Sequence, residues 1–150
     1  MRIAIVTDAW HPQPNGVVRV LDSVIGRLRR DGHEVLVVSP DGFRTIPCPS
    51  YPEIPLALFA RRAVARRLEA FRPEAVHIAT EGPLGLAARR WSLNRRAPFT
   101  TAYHTKFPQY VQARTGLPLS WCHAVIRRFH TPSSGVMVTS PSVFRELSVL

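Results

Sequence analysis

Short apolar runs and longer amphipathic segments alternate along this chain. The apolar runs are rich in β-branched residues, which is typical of parallel strands buried on both faces. They cover Arg2–Thr7, Glu34–Ser39, Ala75–Thr80, Phe99–His104 and Gly135–Ser140. Apolar residues at helical spacing predict helices over Val17–Arg30, Leu56–Phe71, Leu84–Arg96, Phe107–Gly116, Leu119–Phe129 and Ser142–Leu150. The alternation predicts an α/β fold with a Rossmann-like, doubly wound, mostly parallel sheet and no internal repeat.

The segment Pro40–Pro55 interrupts this pattern. Proline lacks the backbone N–H that a helix or a central strand needs, and prolines are closely spaced here. They are Pro47, Pro49, Pro52 and Pro55. We therefore expect an extended edge strand with loops in this segment.

Length and composition narrow the class of protein. A chain of 150 residues fits one domain, and 45% hydrophobic residues with a mean hydropathy of -0.03 describe a globular protein. No apolar run approaches the roughly 18 residues of a membrane span, and the run after Arg2 is too short for a signal peptide, so we expect a cytoplasmic location. Cys48 and Cys122 form no C-x-x-C pair, and the six histidines lack metal-ligand spacing. We expect neither a disulfide framework nor a metal centre.

Charge is the most unusual bulk property. Lys and Arg number 20 and Asp and Glu 10, which gives a net charge of +10. Nearly all of the positive charge is arginine, often in pairs such as Arg61-Arg62 and Arg66-Arg67. Such a surface attracts the phosphates of a nucleotide, a nucleic acid or an anionic membrane. A basic nucleic-acid-binding module and a non-catalytic scaffold are therefore alternatives, although the chain has no RNP-like, helix-turn-helix or zinc-ligand motif.

Polar residues follow three of the predicted strands at their carboxyl ends, where open α/β sheets bind ligands. The three clusters are Asp8 to Gly16, Glu81-Gly82-Pro83 and His104-Thr105-Lys106. Because parallel strands end at the same edge of a sheet, we expect the clusters to line one crevice.

Each cluster contains a candidate residue with two interpretations. The first cluster has neither G-x-G-x-x-G nor G-x-x-x-x-G-K-[ST], which disfavours an NAD enzyme or a P-loop NTPase. Gly16 either lets a phosphate approach a helix N-terminus or is a turn glycine without a ligand. His104 either exchanges a proton near neutral pH, beside the fixed charge of Lys106, or is an ordinary structural histidine. Glu81 either accepts hydrogen bonds from hydroxyls or is a favourable charge at a helix N-terminus.

Four motifs in order link the chain to a known family. They are T-D-A-W-H-P-Q-P-N-G-V, D-G-H-E-V-L-V-V-S-P, V-H-I-A-T-E-G-P-L-G and Y-H-T-K-F-P-Q-Y. Over essentially its whole length the chain resembles the N-terminal half of retaining GT-B glycosyltransferases of family 4. The resemblance is strongest to α-mannosyltransferases and to sulfoquinovosyl or glucosyl transferases that act on lipid acceptors.

The resemblance implies roles for residues that stand in the matching motifs. Gly16 would approach the diphosphate of a GDP- or UDP-linked sugar, with Asn15 beside it, and His104 would lie beside the transferred hexose. Further candidates on the acceptor side are Asp8, Glu81, Thr105, Lys106 and Tyr110. The resemblance implies transfer with retention to a lipid or saccharide acceptor, without a metal or another cofactor, and no nucleic-acid partner.

The resemblance also implies a second domain that this chain lacks. Residues 1–150 would form a single acceptor-side domain, and the nucleotide-sugar domain, with its E-x7-E region and an Arg/Lys pair, would follow it. We therefore expect little or no transferase activity from the 150-residue chain alone.

A basic amphipathic segment suggests a membrane partner. Arg61, Arg62, Arg66 and Arg67 flank an apolar stripe. The stripe consists of Phe59, Val64, Leu68 and Phe71. It would either lie on anionic lipid at the inner face of the membrane or be buried against the sheet with solvated arginines outside.

Overall fold

A five-stranded parallel sheet forms the centre of the computed structural model, which describes residues 1–13, 15–49, 51–104, 111–113 and 115–149. Its strands are β1 (Arg2–Val6), β2 (Glu34–Val38), β5 (Ala75–Ile78), β6 (Phe99–Tyr103) and β7 (Gly135–Val138). They run in the order β2-β1-β5-β6-β7, and all neighbouring pairs are parallel. The doubly wound, mostly parallel sheet expected from the sequence is confirmed.

Helices cover both faces of this sheet. They are α1 (Gly16–Arg30), α2 (Ala60–Phe71), α3 (Pro83–Arg95), α4 (Leu119–His130) and α5 (Pro141–Ser148). Side chains alternate between the two faces along β1. Ile5 packs with Leu21 and Ile25 of α1 in one apolar cluster. The neighbouring Val6 packs in a second cluster that includes residues of α2 and α3.

The proline-rich segment folds as a hairpin of its own. Strands β3 (Thr45–Cys48) and β4 (Tyr51–Ala57) pair antiparallel, with Thr45 opposite Ala57. The expectation of extended structure is confirmed, but an edge position is wrong, because among the described residues β3 and β4 pair with each other and form a sheet separate from the five-stranded one. The predicted helix start at Leu56 is also wrong. The β3 pairing holds Leu56 and Ala57 in a strand, and α2 begins at Ala60 after a left-handed turn at Phe59.

The other element boundaries agree with the sequence pattern to within about two residues, the usual uncertainty of helix and strand ends. Pro141 occupies the first turn of α5, as expected. Half of the predicted helix Phe107–Gly116 lies outside the described residues, and of the other half residues 111–113 and 115 are helical.

The apolar stripe of α2 packs inward. Val64 and Leu68 are 0% exposed and Phe71 is partly buried against the same cluster, whereas Phe59 is 89% exposed. The stripe is therefore buried against the sheet, as in the second interpretation given above, and is not free to lie on a membrane. Across the described ranges, no helix combines the length and apolar character that crossing a bilayer requires.

Candidate functional site

Asp8 binds the N-terminus of α3 across the sheet edge. Its Oδ1 accepts a hydrogen bond from the Leu84 backbone N–H at 2.8 Å, and its Oδ2 accepts one from the Gly85 N–H at 3.3 Å. The Thr80 hydroxyl donates to Oδ2 at 2.7 Å and accepts from the Asp8 N–H at 2.7 Å. Asp8 therefore takes the place of the N-cap side chain that Gly82 cannot supply. Its carboxylate is 3% exposed and serves the protein rather than an open site.

Burial also sets the acidity of this group. Desolvation raises the pKa of Asp8 above 3.8 and outweighs the hydrogen bonds from Leu84, Thr80 and Gly85, which lower it. The nearby charge of Glu81 raises it further. Asp8 of the first predicted cluster thus bonds to Thr80, Leu84 and Gly85, which flank the second cluster, and it feels the charge of Glu81 within that cluster.

Two glycines of the E-G-P-L-G segment are required by this arrangement. A Cβ on Gly82 would lie within 2.7 Å of both carboxylate oxygens of Asp8. A Cβ on Gly85 would overlap the backbone carbonyl oxygen of Thr80. Only glycine lets α3 start this close to β1 and β5.

Gly16 differs from these glycines because space is free beside it. Apart from its two chain neighbours and the backbone of α1, nothing in the described chain lies within 4 Å of a Cβ placed on Gly16, and its φ lies outside the left-handed region. The residue opens α1, whose first N–H groups carry the positive end of the helix dipole. The backbone here can be approached by a ligand atom.

Asn15 shapes the approach to Gly16. Its Oδ1 accepts a hydrogen bond from the Val18 N–H at 2.9 Å, which caps α1. Its Nδ2 donates to Gln13 Oε1 at 3.0 Å. The structure therefore shows Asn15 holding the loop and the helix start together.

Glu81 contacts a histidine that the sequence analysis did not single out. His130 Nε2 lies 3.2 Å from Glu81 Oε1, and His130 Nδ1 lies 2.8 Å from Thr101 Oγ1. The ring is 7% exposed and stands edge-on to Tyr103 and Phe129. Glu81 is thus held by His130 of α4, which is itself bonded to Thr101 of β6.

His104 follows β6 and lies near Glu81 and His77. Desolvation lowers the pKa of His104, and the charge of Glu81 partly opposes that fall. His104 Nε2 is buried and makes no hydrogen bond with any residue that the structure describes. On β5, His77 Nδ1 lies 2.9 Å from Thr100 Oγ1. Burial and the neighbouring His104 lower the pKa of His77 to about 4, so both imidazoles are neutral at pH 7.

The remaining predicted site residues are Thr105, Lys106 and Tyr110, which lie outside the described residues. Within the described part of the chain, no group of three or more His, Cys, Asp or Glu side chains is placed to hold a metal ion.

Two grooves lie beside this cluster rather than at it. One, of about 360 Å³, separates His11 and Gln13 from the β3–β4 hairpin. The other, of about 420 Å³, lies between α4, β7 and α5, and His130 borders it. Neither groove is lined by Gly16, Glu81 or His104.

The sequence carried a signal for His130 that was missed. Helix α4 buries Ile126, Phe129 and His130 on one face. A polar residue on the apolar face of a helix needs a buried partner, and His130 therefore pointed to a hydrogen-bonded contact. The same argument applies to His77 and Thr101, which are polar residues within the apolar strands β5 and β6, whereas Thr80 follows its strand and carried no such signal.

Residues 14–149 match the domain described as Glycosyltransferase Family 4. The match covers Asn15 and Gly16 of the first polar cluster, both other clusters, and every strand of the five-stranded sheet except β1.

Similar proteins carry related names. A GDP-mannose-dependent alpha-mannosyltransferase of Mycobacterium tuberculosis is 29% identical over 91% of this chain and 43% of its own length. The sulfoquinovosyl transferase SQD2 of Arabidopsis thaliana is 26% identical over 97% of this chain and 32% of its own. An alpha-monoglucosyldiacylglycerol synthase of Acholeplasma laidlawii is 33% identical over 73% of this chain and 31% of its own. The chain thus spans less than half the length of these relatives.

Proposed function

This chain belongs to Glycosyltransferase Family 4, and we propose that it is the acceptor-side, N-terminal domain of a GT-B enzyme that transfers a hexose from a nucleotide sugar. The hexose is of the mannose or glucose type, the donor is GDP- or UDP-linked, and transfer proceeds with retention. The relatives named for mannosyl, sulfoquinovosyl and glucosyl transfer support this class of reaction. The nucleic-acid-binding alternative rests on charge alone, and no sequence motif supports the scaffold alternative. Family membership therefore favours glycosyl transfer over both.

The free space at Gly16 is the observation that carries the proposal. A diphosphate placed there would meet the N–H groups of Gly16 and Val17, since that of Val18 already donates to Asn15. An anion at a helix N-terminus gains about 0.3 to 1 kcal/mol from the dipole. Asn15 contributes by capping the helix and fixing the loop, which keeps those N–H groups in place.

His104 is the proposed contact to the transferred sugar. Its buried Nε2 has no partner in the described chain, and an unpaired buried polar atom costs about 1 to 3 kcal/mol. A sugar hydroxyl at this nitrogen would recover that energy. Because its pKa is lowered, the ring is neutral at pH 7 and can hydrogen-bond the sugar without adding charge.

Acceptor contacts are proposed for Glu81 and for Thr105, Lys106 and Tyr110 of the Y-H-T-K-F-P-Q-Y motif. The Glu81 carboxylate is partly exposed and can accept a hydrogen bond from an acceptor hydroxyl in addition to its contact with His130. Asp8 acts on the acceptor side only indirectly, because its carboxylate is occupied by the start of α3.

A second domain completes the proposed site. The Mycobacterium tuberculosis relative is more than twice the aligned length, which supports further residues in the whole protein. Those residues would bind most of the nucleotide sugar. Transfer without a metal is part of the proposal.

Donor binding by the full-length protein tests the role of Gly16. Isothermal titration with GDP-mannose and with UDP-glucose compares the wild type with Gly16→Ala and with Gly26→Ala. Gly26 lies later on α1, and a Cβ there meets only the flexible Arg30 side chain at 3.6 Å. We expect Gly16→Ala to weaken donor binding about tenfold or more with an unchanged unfolding midpoint, and Gly26→Ala to keep wild-type affinity. Equal affinities of wild type and Gly16→Ala, or no binding of either nucleotide, would overturn the proposal.

A lipid acceptor and peripheral attachment to the inner face of the membrane belong to the same proposal. The synthase of Acholeplasma laidlawii supports a lipid acceptor by its name. On α2, Arg61, Arg62 and Arg66 are exposed, and Phe59 stands free at the helix start. We expect the double variant Arg61→Gln/Arg62→Gln to sediment less with phosphatidylglycerol vesicles, and Arg29→Gln/Arg30→Gln to serve as the control. Equal sedimentation of all three proteins would exclude α2 as the contact.

A further inference from the structure

His130 ties three separate segments to one another. Its ring nitrogens lie 3.2 Å from Glu81, in the turn before α3, and 2.8 Å from Thr101, in the middle of β6. The Thr101 hydroxyl in turn donates to Ser133 Oγ, in the turn before β7, at 3.4 Å. The buried ring thus connects Glu81 to the sheet.

The position of His130 is itself fixed from two sides. It is the last residue of α4, and Arg89 of α3 donates to the carbonyl oxygens of Phe129 at 3.0 Å and Arg128 at 2.7 Å. The rings of Tyr103 and Phe129 contact it edge-on, with centroid distances of 6.0 and 5.1 Å. Because these contacts fix the His130 ring, its hydrogen bond holds the Glu81 carboxylate in place.

The chemistry of the contact fixes the direction of the hydrogen bond. A carboxylate offers only acceptor oxygens, so His130 Nε2 must carry the hydrogen. This holds for the imidazolium, whose Nδ1–H donates to Thr101, and for the neutral ring, in which Nδ1 accepts the single Thr101 hydroxyl hydrogen in place of Ser133. In both cases His130 donates to Glu81 Oε1, so the contact occupies one of the two carboxylate oxygens.

We propose that His130 is a positioning residue for sugar transfer: it holds the Glu81 carboxylate beside His104 without touching the substrate. The inference rests on the proposed function, because it assigns Glu81 and His104 to the same crevice. Glu81 follows β5 and His104 follows the neighbouring parallel strand β6, so both lie at the same sheet edge. The charge of Glu81 raises the pKa of His104 against the larger lowering by desolvation. His130 thereby determines the electrostatic surroundings of the histidine proposed to contact the sugar.

A double-mutant cycle in the full-length protein separates positioning from simple packing. The variants are His130→Phe, Glu81→Gln and the two combined, with His123→Phe on the same helix as the matched control. The readouts are the NMR titration of the His104 ring without substrate and the kcat and KM for hydrolysis of GDP-mannose. Among the described residues, the groups that act on the His104 titration are Glu81 and His77.

We expect His130→Phe to lower the pKa of His104, because the Glu81 charge no longer stays beside it. We also expect kcat to fall about tenfold with little change in KM. Glu81→Gln should have the same effects, and the combined variant should add nothing further. His130→Gln, which retains a side-chain N–H, should restore most of both readouts, and His123→Phe should leave them unchanged.

Independent effects of the two substitutions, or an unchanged His104 titration in His130→Phe, would overturn the proposal. If His130→Phe does not fold, His130→Asn replaces it, since its shorter amide cannot reach Glu81. The titration needs no substrate. A protein that shows the expected titration but hydrolyses neither GDP-mannose nor UDP-glucose would therefore retain the positioning role and lose the proposed function.

Discussion

The Asp8 carboxylate accepts a 2.8 Å hydrogen bond from the backbone N–H of Leu84, which lies 76 residues later in the chain. The contact joins the end of β1 to the start of α3 and is buried. Since Glu81 stands next to Gly82, the N-cap residue of α3, Asp8 also fixes the turn that carries Glu81. An acidic residue after the first strand is thus a structural support for the proposed site.

Replacing Asp8 with Ala should destabilise the protein by about 2 to 4 kcal/mol, because the N–H groups of Leu84 and Gly85 and the Thr80 hydroxyl lose their acceptor. Urea unfolding measures the change. Asp31→Ala is the control, since Asp31 is an exposed partner of Arg27 and should cost less than about 0.5 kcal/mol. Comparable losses for the two variants would show that Asp8 does not cap α3.

Gly85→Ala should destabilise the protein by about 1 to 3 kcal/mol or prevent folding, because the added Cβ overlaps the Thr80 carbonyl oxygen. Gly26→Ala on α1 should instead stabilise by about 0.5 to 1 kcal/mol, since glycine is unfavourable inside a helix. Thermal unfolding of the two variants provides the comparison. A stable Gly85→Ala protein would mean that α3 can start further from the sheet than the structure shows.

The sequence alone predicts the main sheet because its information is local. The β-branched runs and the helical spacing of apolar residues identify strands such as Arg2–Val6 and helices such as Gly16–Arg30. The start of α2 was missed because it depends on a distant pairing. Leu56 and Ala57 continue the helical pattern in sequence, but the antiparallel register with Thr45 and Ile46 places them in a strand.

The site shows the same division between local and distant information. The sequence places Asp8, Glu81 and His104 at one sheet edge, because each follows a strand. It does not reveal that Asp8 is occupied by α3 or that His130 holds Glu81, since both contacts join residues far apart in the chain. Both the sequence pattern and the structure place Gly16 at the start of a helix. Only the structure reveals the free space beside it.

Acidification should weaken the folded state through His77. Its pKa is about 4 in the folded protein and 6.5 without the fold, so between these values the unfolded chain binds a proton that the folded protein does not. The free energy of unfolding therefore keeps its full value above pH 6.5 and falls by about 3 kcal/mol as the pH falls to 4. The unfolding free energies of wild type and His77→Gln are measured at several pH values. The difference between the two proteins should change by about 3 kcal/mol between pH 6.5 and pH 4. A difference that does not vary with pH would contradict the prediction.

The 150-residue chain produced alone should transfer no sugar, and we expect transfer only from the proposed two-domain protein. The proposed crevice has Gly16 and His104 on this side, whereas the contacts that hold most of the nucleotide sugar would come from residues beyond it. One helix N-terminus provides only about 0.3 to 1 kcal/mol for a diphosphate, which is far too little to retain a donor at millimolar concentration. The check is release of GDP from GDP-mannose and of UDP from UDP-glucose, with diacylglycerol vesicles as acceptor and the full-length protein as the positive control. Turnover by the isolated chain would show that it contains a complete donor site, and the two-domain proposal would then be wrong.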